Sequence, residues 1–279
     1  MLKEFDIVII GCGPAGMSAA IYATKPNNKV AIIERNAPGG KMLETDHISN
    51  FPNKTNIDGI SLSMEMFEHV STLPCEYISD NVIDIKVENN IKTVITNKGQ
   101  YNAKVVIIAT GTKEKRIGIK GETEYYNKGV SYCATCDAPL YKDKTVVVIG
   151  DNDHAKEEAN YLKGFASKVI EIKNYSDIEE ILGDGDRVTS IKCKDKIVDT
   201  DGVFPFIGVE PSSMFAKRLN IVDEKGNIVV NSKMETSIEG IYAVGDVIVK
   251  DLRQIVTACS DGAIAGNNAL KYLYKLNQK

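Results

Sequence analysis

Residues 5–10, FDIVII, form an apolar, β-branched run that stops at Gly11. Small and apolar residues at helical spacing follow in MSAAIYAT, and a second strand pattern, KVAIIE, ends at Glu34. The same order returns later. VVVIG closes at Gly150, the polar helical stretch DNDHAKEEA follows, and SKVIEIK ends at Lys173. Between the two copies, residues 82–110 alternate in strand fashion, broken at a Glu-Asn-Asn turn and an Asn-Lys-Gly turn. Near the end, GIYAV predicts a short buried strand, and IVTACSDGAIAGNNALKYL predicts a helix whose small residues permit close packing. Two strand-turn-helix-strand copies predict an α/β protein with two Rossmann-like domains of the three-layer ββα type. The first copy is completed only by the C-terminal segments, so the smaller domain is inserted in the larger. Residues 1–112 with 208–279 form one domain and 113–207 the other, with hinges near Gly111–Lys113 and Gly208–Pro211.

The first turn reads Gly11-Cys12-Gly13-Pro14-Ala15-Gly16, a complete G-x-G-x-x-G between a strand and a helix. Gly11 makes the tight turn, Gly13 lets a pyrophosphate approach the backbone, and Gly16 lets helix and strand pack closely. The helix start supplies N–H groups and Glu34 accepts from ribose hydroxyls. In the second copy Gly150 matches Gly11, but Asn152 stands at the Gly13 position, Ala155 at the Gly16 position and Lys173 at the Glu34 position. A lysine has no acceptor for a ribose diol. Asn152 puts a side chain where phosphate would approach, and Asp151 adds a carboxylate beside it.

The 279 residues are 43% hydrophobic and 26% charged with a net charge of −4, an ordinary globular composition that does not point to nucleic acid. No run reaches the roughly 18 apolar residues of a membrane span. The start, MLKEFDIVII, reads as a first strand and not as a signal peptide, so a cytoplasmic location is expected. Of six cysteines only Cys133-Ala134-Thr135-Cys136 has C-x-x-C spacing. His47, His69 and His154 lie outside metal-ligand spacing with it, so a redox pair is expected and no metal. Cys12, Cys75, Cys193 and Cys259 read as packing residues.

An ordered set of motifs resembles the low-molecular-weight flavin thioredoxin reductases across nearly the whole chain. It comprises Gly11-x-Gly13-x-x-Gly16, Gly39-Gly40, Ala109-Thr110-Gly111, Cys133-Ala134-Thr135-Cys136-Asp137, Gly245-Asp246 and Arg253-Gln254. The resemblance implies FAD held by the first and last segments, a homodimer, and thioredoxin as substrate. Asp246 is implied at the ribityl–phosphate portion, with Gln254 and Ile255 near the flavin ring. The implied cofactor set also takes in Pro14, Ala15, Glu34, Arg35, Gly40, Lys41, Asn50, Val82, Gly245 and Arg253. Reduced flavin is implied to pass two electrons to the Cys133–Cys136 disulfide, with Cys136 nearer the flavin and Asp137 as the acid that moves a proton. Which cysteine attacks thioredoxin stays open.

The usual pattern includes a second glycine-rich turn and a basic cluster for NADPH. Here Asn152 and Lys173-Asn174-Tyr175 stand in their places, and the inserted region is short. NADPH is therefore not expected. The chain resembles the pyridine-nucleotide-independent branch, in which ferredoxin supplies single electrons. Ferredoxins are usually acidic, and Lys113, Lys115, Arg116 and Lys120 offer either a docking cluster or a solvated hinge face. Three alternatives remain: a NAD(P)H-dependent reductase with an atypical site, a reductase for another small disulfide protein, and a non-catalytic FAD-binding redox sensor.

Overall fold

The computed structural model describes residues 3–25, 28–45 and 47–278. β1 (Lys3–Ile10), α1 (Pro14–Ala23) and β2 (Val30–Glu34) form the first crossover, with β1 and β2 parallel and Ile10 opposite Ile33. α2 (Gly59–Ser71) leads to β3 (Cys75–Ser79), parallel to β2. β4 (Val82–Glu88), β5 (Ile91–Thr96) and β6 (Gln100–Ile108) then make an antiparallel meander. Its first turn places Asn89 and Asn90 at φ of 49° and 63°, a backbone conformation asparagine accepts more readily than most residues. β7 (Thr112–Glu114) carries the chain onward to α3 (Ala134–Asp137), β8 (Thr145–Ile149), α4 (Asp153–Leu162) and β9 (Lys168–Ile172). β10 (Ile178–Gly183), β11 (Val188–Cys193), β12 (Ile197–Asp199) and β13 (Gly202–Pro205) follow. β14 (Val209–Pro211) returns beside β7, and β15 (Ile241–Ala243) and α5 (Ile255–Leu276) complete the chain.

The chain divides into two compact units: residues 1–46, 51–113 and 210–279, and residues 47–50 with 114–209. In the first unit β3, β2, β1 and β6 run parallel in that order. β6 is shared at its far edge: residues 100–103 pair with β5, and residues 106–108 pair with β15. Ile7, Val8 and Ile9 are fully buried because both faces of β1 are covered, as in other parallel sheets. α1 carries Ala15, Ala19, Ala20 and Ala23 in its buried face, and α5 packs there. A Cβ at Gly262 would lie 2.2 Å from the Ala15 carbonyl oxygen, and Ser18 Oγ donates to the Cys259 carbonyl at 2.7 Å. The last helix therefore locks onto the first, which is how a discontinuous chain makes one body.

The second unit is built around β8. β13, β8 and β9 are parallel, in that order. Side chains alternate across the strand: Val146 and Val148 face a cluster with Ala134, Ala155, Ala159 and Leu162 of α3 and α4. Val147 and Ile149 face Ile178, Ile181, Val188 and Ile191 of the antiparallel meander β10–β12. This is the predicted three-layer ββα arrangement. Among the described residues no helix separates β9 from that meander, only a 3-10 turn at Tyr175–Asp177.

Candidate active site

The first glycine turn is fixed by two backbone bonds: Gly11 N–H to the Ile33 carbonyl (2.8 Å) and Ala109 N–H to the Ile10 carbonyl (2.8 Å). Gly11 has φ +105°, and a Cβ there would lie 2.4 Å from the Ala109 oxygen, so only glycine serves. Gly13 is the N-cap of α1 and offers no side-chain cap; Pro14 opens the helix, and its first turn holds no acid. The N–H groups at this helix start are therefore left to an external anion. Gly40 closes over the turn: a Cβ on it would sit 3.3 Å from the Gly13 Cα, and Gly39 N–H bonds the Cys12 carbonyl at 2.8 Å. Glu34 is aimed by two backbone donors, Cys12 N–H at 2.8 Å and Asn36 N–H at 2.9 Å, which fix its carboxylate at the strand end. These features fit the pyrophosphate and ribose of an adenine dinucleotide.

The late segments reach the same place. Gly245 lies against Ala15, where a Cβ would meet the Ala15 methyl at 2.8 Å, and so brings Asp246 to the start of α1. Arg253 is held by the Asp246 carbonyl (3.3 Å). Gln254 is the N-cap of α5 and forms a capping box with Thr257. Sequence reasoning missed that structural task for Gln254, and Ile255 is the first residue of the helix it caps. Lys41 Nζ donates to Thr112 Oγ1 at 2.9 Å, and Thr110 Oγ1 donates to the Ser212 carbonyl at 2.7 Å just before Gly111. Asp80 N–H bonds the Glu34 carbonyl, which sets Val82 near that strand end, and Arg35 is exposed beside it. Asn50 belongs to the short stretch 47–50 that groups with the second unit, unlike the other cofactor residues read from the sequence.

The second turn repeats the backbone of the first. Gly150 N–H bonds the Ile172 carbonyl (3.0 Å), and Phe206 N–H bonds the Ile149 carbonyl (2.7 Å). What differs is the mouth. Asn152 is the N-cap of α4: its Oδ1 accepts the Ala155 N–H at 2.8 Å and its Nδ2 donates to the Phe206 carbonyl at 2.7 Å. The protein itself thus occupies a donor that a phosphate would use, and Asp153 adds an acid to the first turn. Lys173 is exposed, and Asn174 caps the following turn by accepting from Ser176. Asn152→Ala is expected to lower stability by about 1–2 kcal/mol, the usual loss of a side-chain N-cap. The measurement is the denaturant midpoint at unchanged slope.

Cys133 and Cys136 form a disulfide with Cα atoms 5.3 Å apart. Cys133 is the N-cap of α3, and Asp137 is that helix's last residue, its N–H bonded to the Cys133 carbonyl at 3.2 Å. Both cysteines are half-buried, and Ser131 Oγ accepts the Cys133 N–H at 3.1 Å. A further anchor was not read from the sequence. Glu122, buried, accepts the N–H groups of Ile117 and Gly118 and the Tyr132 hydroxyl (2.6 Å), one residue before Cys133. Burial and the Glu122 carboxylate push the Tyr132 hydroxyl well above its ordinary range, so it stays a donor. The other cysteines are poor nucleophiles. Burial pushes Cys75 and Cys259 up to about 11, and Cys12 higher still. In the lysine cluster, Lys120 is paired with Glu180 and Arg116 lies over the Tyr126 ring at 5.5 Å.

The pyridine nucleotide-disulphide oxidoreductase family matches residues 5–178 and 158–262. A thioredoxin reductase of Listeria innocua is 38% identical over 306 aligned residues, covering 99% of this chain and 96% of that one. That alignment is longer than the 279 residues here, so the relative carries residues with no counterpart. The crystal structure of thioredoxin reductase from Streptococcus pyogenes is 39% identical with a TM-score of 0.92, covering 99% of this chain and all of that one. A ferredoxin-flavin thioredoxin reductase from Clostridium acetobutylicum is 34% identical with a TM-score of 0.58, and each chain is covered in full. By the family match and by identity over nearly its whole length, the chain belongs to the low-molecular-weight thioredoxin reductases of the pyridine nucleotide-disulphide oxidoreductase family.

Proposed function

We propose that this chain is an FAD-dependent reductase of thioredoxin that takes its electrons from ferredoxin. The observation that carries the choice of donor is Asn152, whose side chain fills the mouth of the second glycine turn. Displacing it would break two neutral hydrogen bonds, to the Phe206 carbonyl and the Ala155 N–H, at about 0.5–1.5 kcal/mol each, before any repulsion from Asp151 and Asp153. That alone weakens binding on the order of tenfold to a hundredfold. The first turn has none of these obstacles.

In this reading Gly11, Gly13, Pro14, Ala15 and Gly16 hold the pyrophosphate of FAD, and Glu34 holds its ribose. Gly40, Lys41, Ala109, Thr110, Gly111, Gly245, Asp246, Arg253, Gln254 and Ile255 line the rest of the cradle. FAD, when bound, supplies a redox centre that takes electrons singly and gives them in pairs. Cys133 and Cys136 carry the pair as a dithiol, and Asp137 moves the proton that a thiol gains or loses. Thioredoxin's disulfide is reduced by exchange with that dithiol. A ferredoxin brings its own iron–sulfur cluster.

The second reading is the same reductase driven by NADH or NADPH. The family's name and the plain thioredoxin reductase relatives favour it. Anaerobic mixing separates the two. Reduced ferredoxin is expected to bleach the flavin band fully, and NADPH or NADH to leave it within turnover time unchanged. Rapid full bleaching by either nucleotide would assign the donor to the nicotinamide.

A further inference from the structure

Cys133 is held at its backbone by Ser131, which is buried: Ser131 Oγ accepts the Cys133 N–H at 3.1 Å and donates to the Cys133 carbonyl at 3.4 Å. The N–H of Ser131 bonds the Val203 carbonyl on β13 at 2.9 Å, so Cys133 is tied to the central sheet of its unit. Two residues on, Thr135 Oγ1 lies 3.4 Å from Cys133 Sγ. A sulfur in a disulfide carries no proton, so the hydroxyl is the donor in that contact. Threonine is β-branched and stiff at χ1, and the turn it sits on is pinned by the fully buried Ala134 and Ala138. The hydroxyl is therefore kept beside the sulfur.

We propose that Thr135 is a catalytic residue of the reductase: its hydroxyl donates to Cys133 Sγ and stabilises the thiolate left there when the disulfide is reduced. This rests on Cys133–Cys136 being the working disulfide. On reduction the S–S bond breaks and takes the two electrons the reductase supplies. One proton enters with them and makes one sulfur a thiol; the other sulfur stays a thiolate. A hydrogen bond to an ionised acceptor is about twice as strong as one to a neutral acceptor, so the Thr135 contact strengthens as the charge forms. The hydroxyl gives no proton away; it biases the charge toward Cys133. The thiolate is the form that attacks a substrate disulfide, and when exchange re-forms the S–S bond the two electrons and the proton leave with the substrate.

The titratable groups of the elements packed about this turn all stay in place when Thr135 is changed. Asp137 ends the same turn, and Tyr132 before it donates to the buried Glu122. From the 3-10 turn that follows comes Tyr141, whose hydroxyl is raised to about 12 by burial and by Asp137 and Asp201. α4 brings the His154–Glu158 pair, with Asp153, Lys156 and Glu157 exposed. β9 brings Lys168 and Glu171, the latter paired with Lys163, and β8 and β13 bring none. A difference between Thr135 variants therefore reads the hydroxyl and not a neighbouring charge.

The test is the pH profile of iodoacetamide alkylation at Cys133 and at Cys136, each read by peptide mass, in chemically reduced, desalted holoenzyme without oxygen. Thr135→Val keeps the shape and the β-branch and removes the donor. Its Cys133 midpoint is expected to rise by about one pH unit, roughly tenfold in thiolate fraction. Below the midpoint Cys133 alkylation should slow only a few-fold, because a more basic thiolate is more nucleophilic and offsets part of the loss. The share of label on Cys136 should rise. Thr135→Ser keeps the hydroxyl and is expected to hold the wild-type midpoint. A Thr135→Val profile that superimposes on the wild type would overturn the proposal. So would a Thr135→Ser profile shifted as far as the Thr135→Val one, since packing and not the donor would then set the midpoint. Alkylation needs neither ferredoxin nor thioredoxin, so it reads Thr135 even where the proposed donor fails. Whether the pair is the working disulfide is read separately, by turnover of Cys136→Ser.

Discussion

Cys136→Ser is expected to abolish thioredoxin reduction, by about a thousandfold or more, the scale of losing an essential covalent nucleophile or its partner. The substitution is nearly isosteric at a half-buried site, and Ala134 and Ala138, which pack against α4, are untouched. The variant should therefore fold and keep its flavin. What it loses is the ability to store an electron pair as a disulfide cycling to a dithiol, since one sulfur cannot form the internal bond between Cα atoms 5.3 Å apart. The four free cysteines offer no substitute, because burial raises Cys12, Cys75 and Cys259 far above neutral pH and pushes Cys193 upward as well. Thioredoxin-linked turnover and the flavin spectrum of the purified variant are the measurements. Turnover at the wild-type rate would mean that the pair only reports potential, as in a redox sensor, and that electrons leave by another path.

Much of the fold is written locally. A β-branched run ending in glycine, a helix of small residues and an acid at the next strand end predict β1, α1, β2 and Glu34 almost residue by residue. The repeat is just as legible, because Gly11 and Gly150 make the same pair of backbone bonds to their neighbouring strands. The strand β10 and the helix α2 do not follow from that local pattern. IEEILG follows a turn cluster, Asn174 to Asp177, but mixes charge with apolar residues, and its burial is decided by Val147 and Ile149 of a distant strand. The double role of Asn152 was half legible: a side chain in a phosphate approach can be read from sequence, but its bond to the Phe206 carbonyl cannot. The same holds for Glu122, whose chemistry comes from a partner brought near by tertiary packing, Tyr132.

Gly16→Ala is expected to cost more than any other single methyl in the first cradle, and to empty it. A Cβ there would lie 1.9 Å from the Gly11 carbonyl oxygen and 3.0 Å from its carbon. Both are backbone atoms of the strand-to-helix turn, so no rotamer change relieves the contact, and α1 must move away from β1. It has no room to do so, because its other side is closed by α5 at Gly262 and Gly266, where added Cβ atoms would already meet Ala15 and Ala19 carbonyl oxygens at 2.2 and 2.7 Å. Overpacking usually costs about 1–3 kcal/mol, and a backbone clash held from both sides belongs at or above the top of that range. Moving α1 also swings its N–H groups off the position of the phosphate, so the purified variant should carry little flavin. The second copy supplies the control. Its helix already bears Ala155 at this position, and Ala155→Gly is expected to lose about 1–2 kcal/mol, from helix propensity and one buried methyl. A Gly16→Ala protein with wild-type flavin content and denaturant midpoint would show that α1 has slack, and that the glycine marks the motif without setting its geometry.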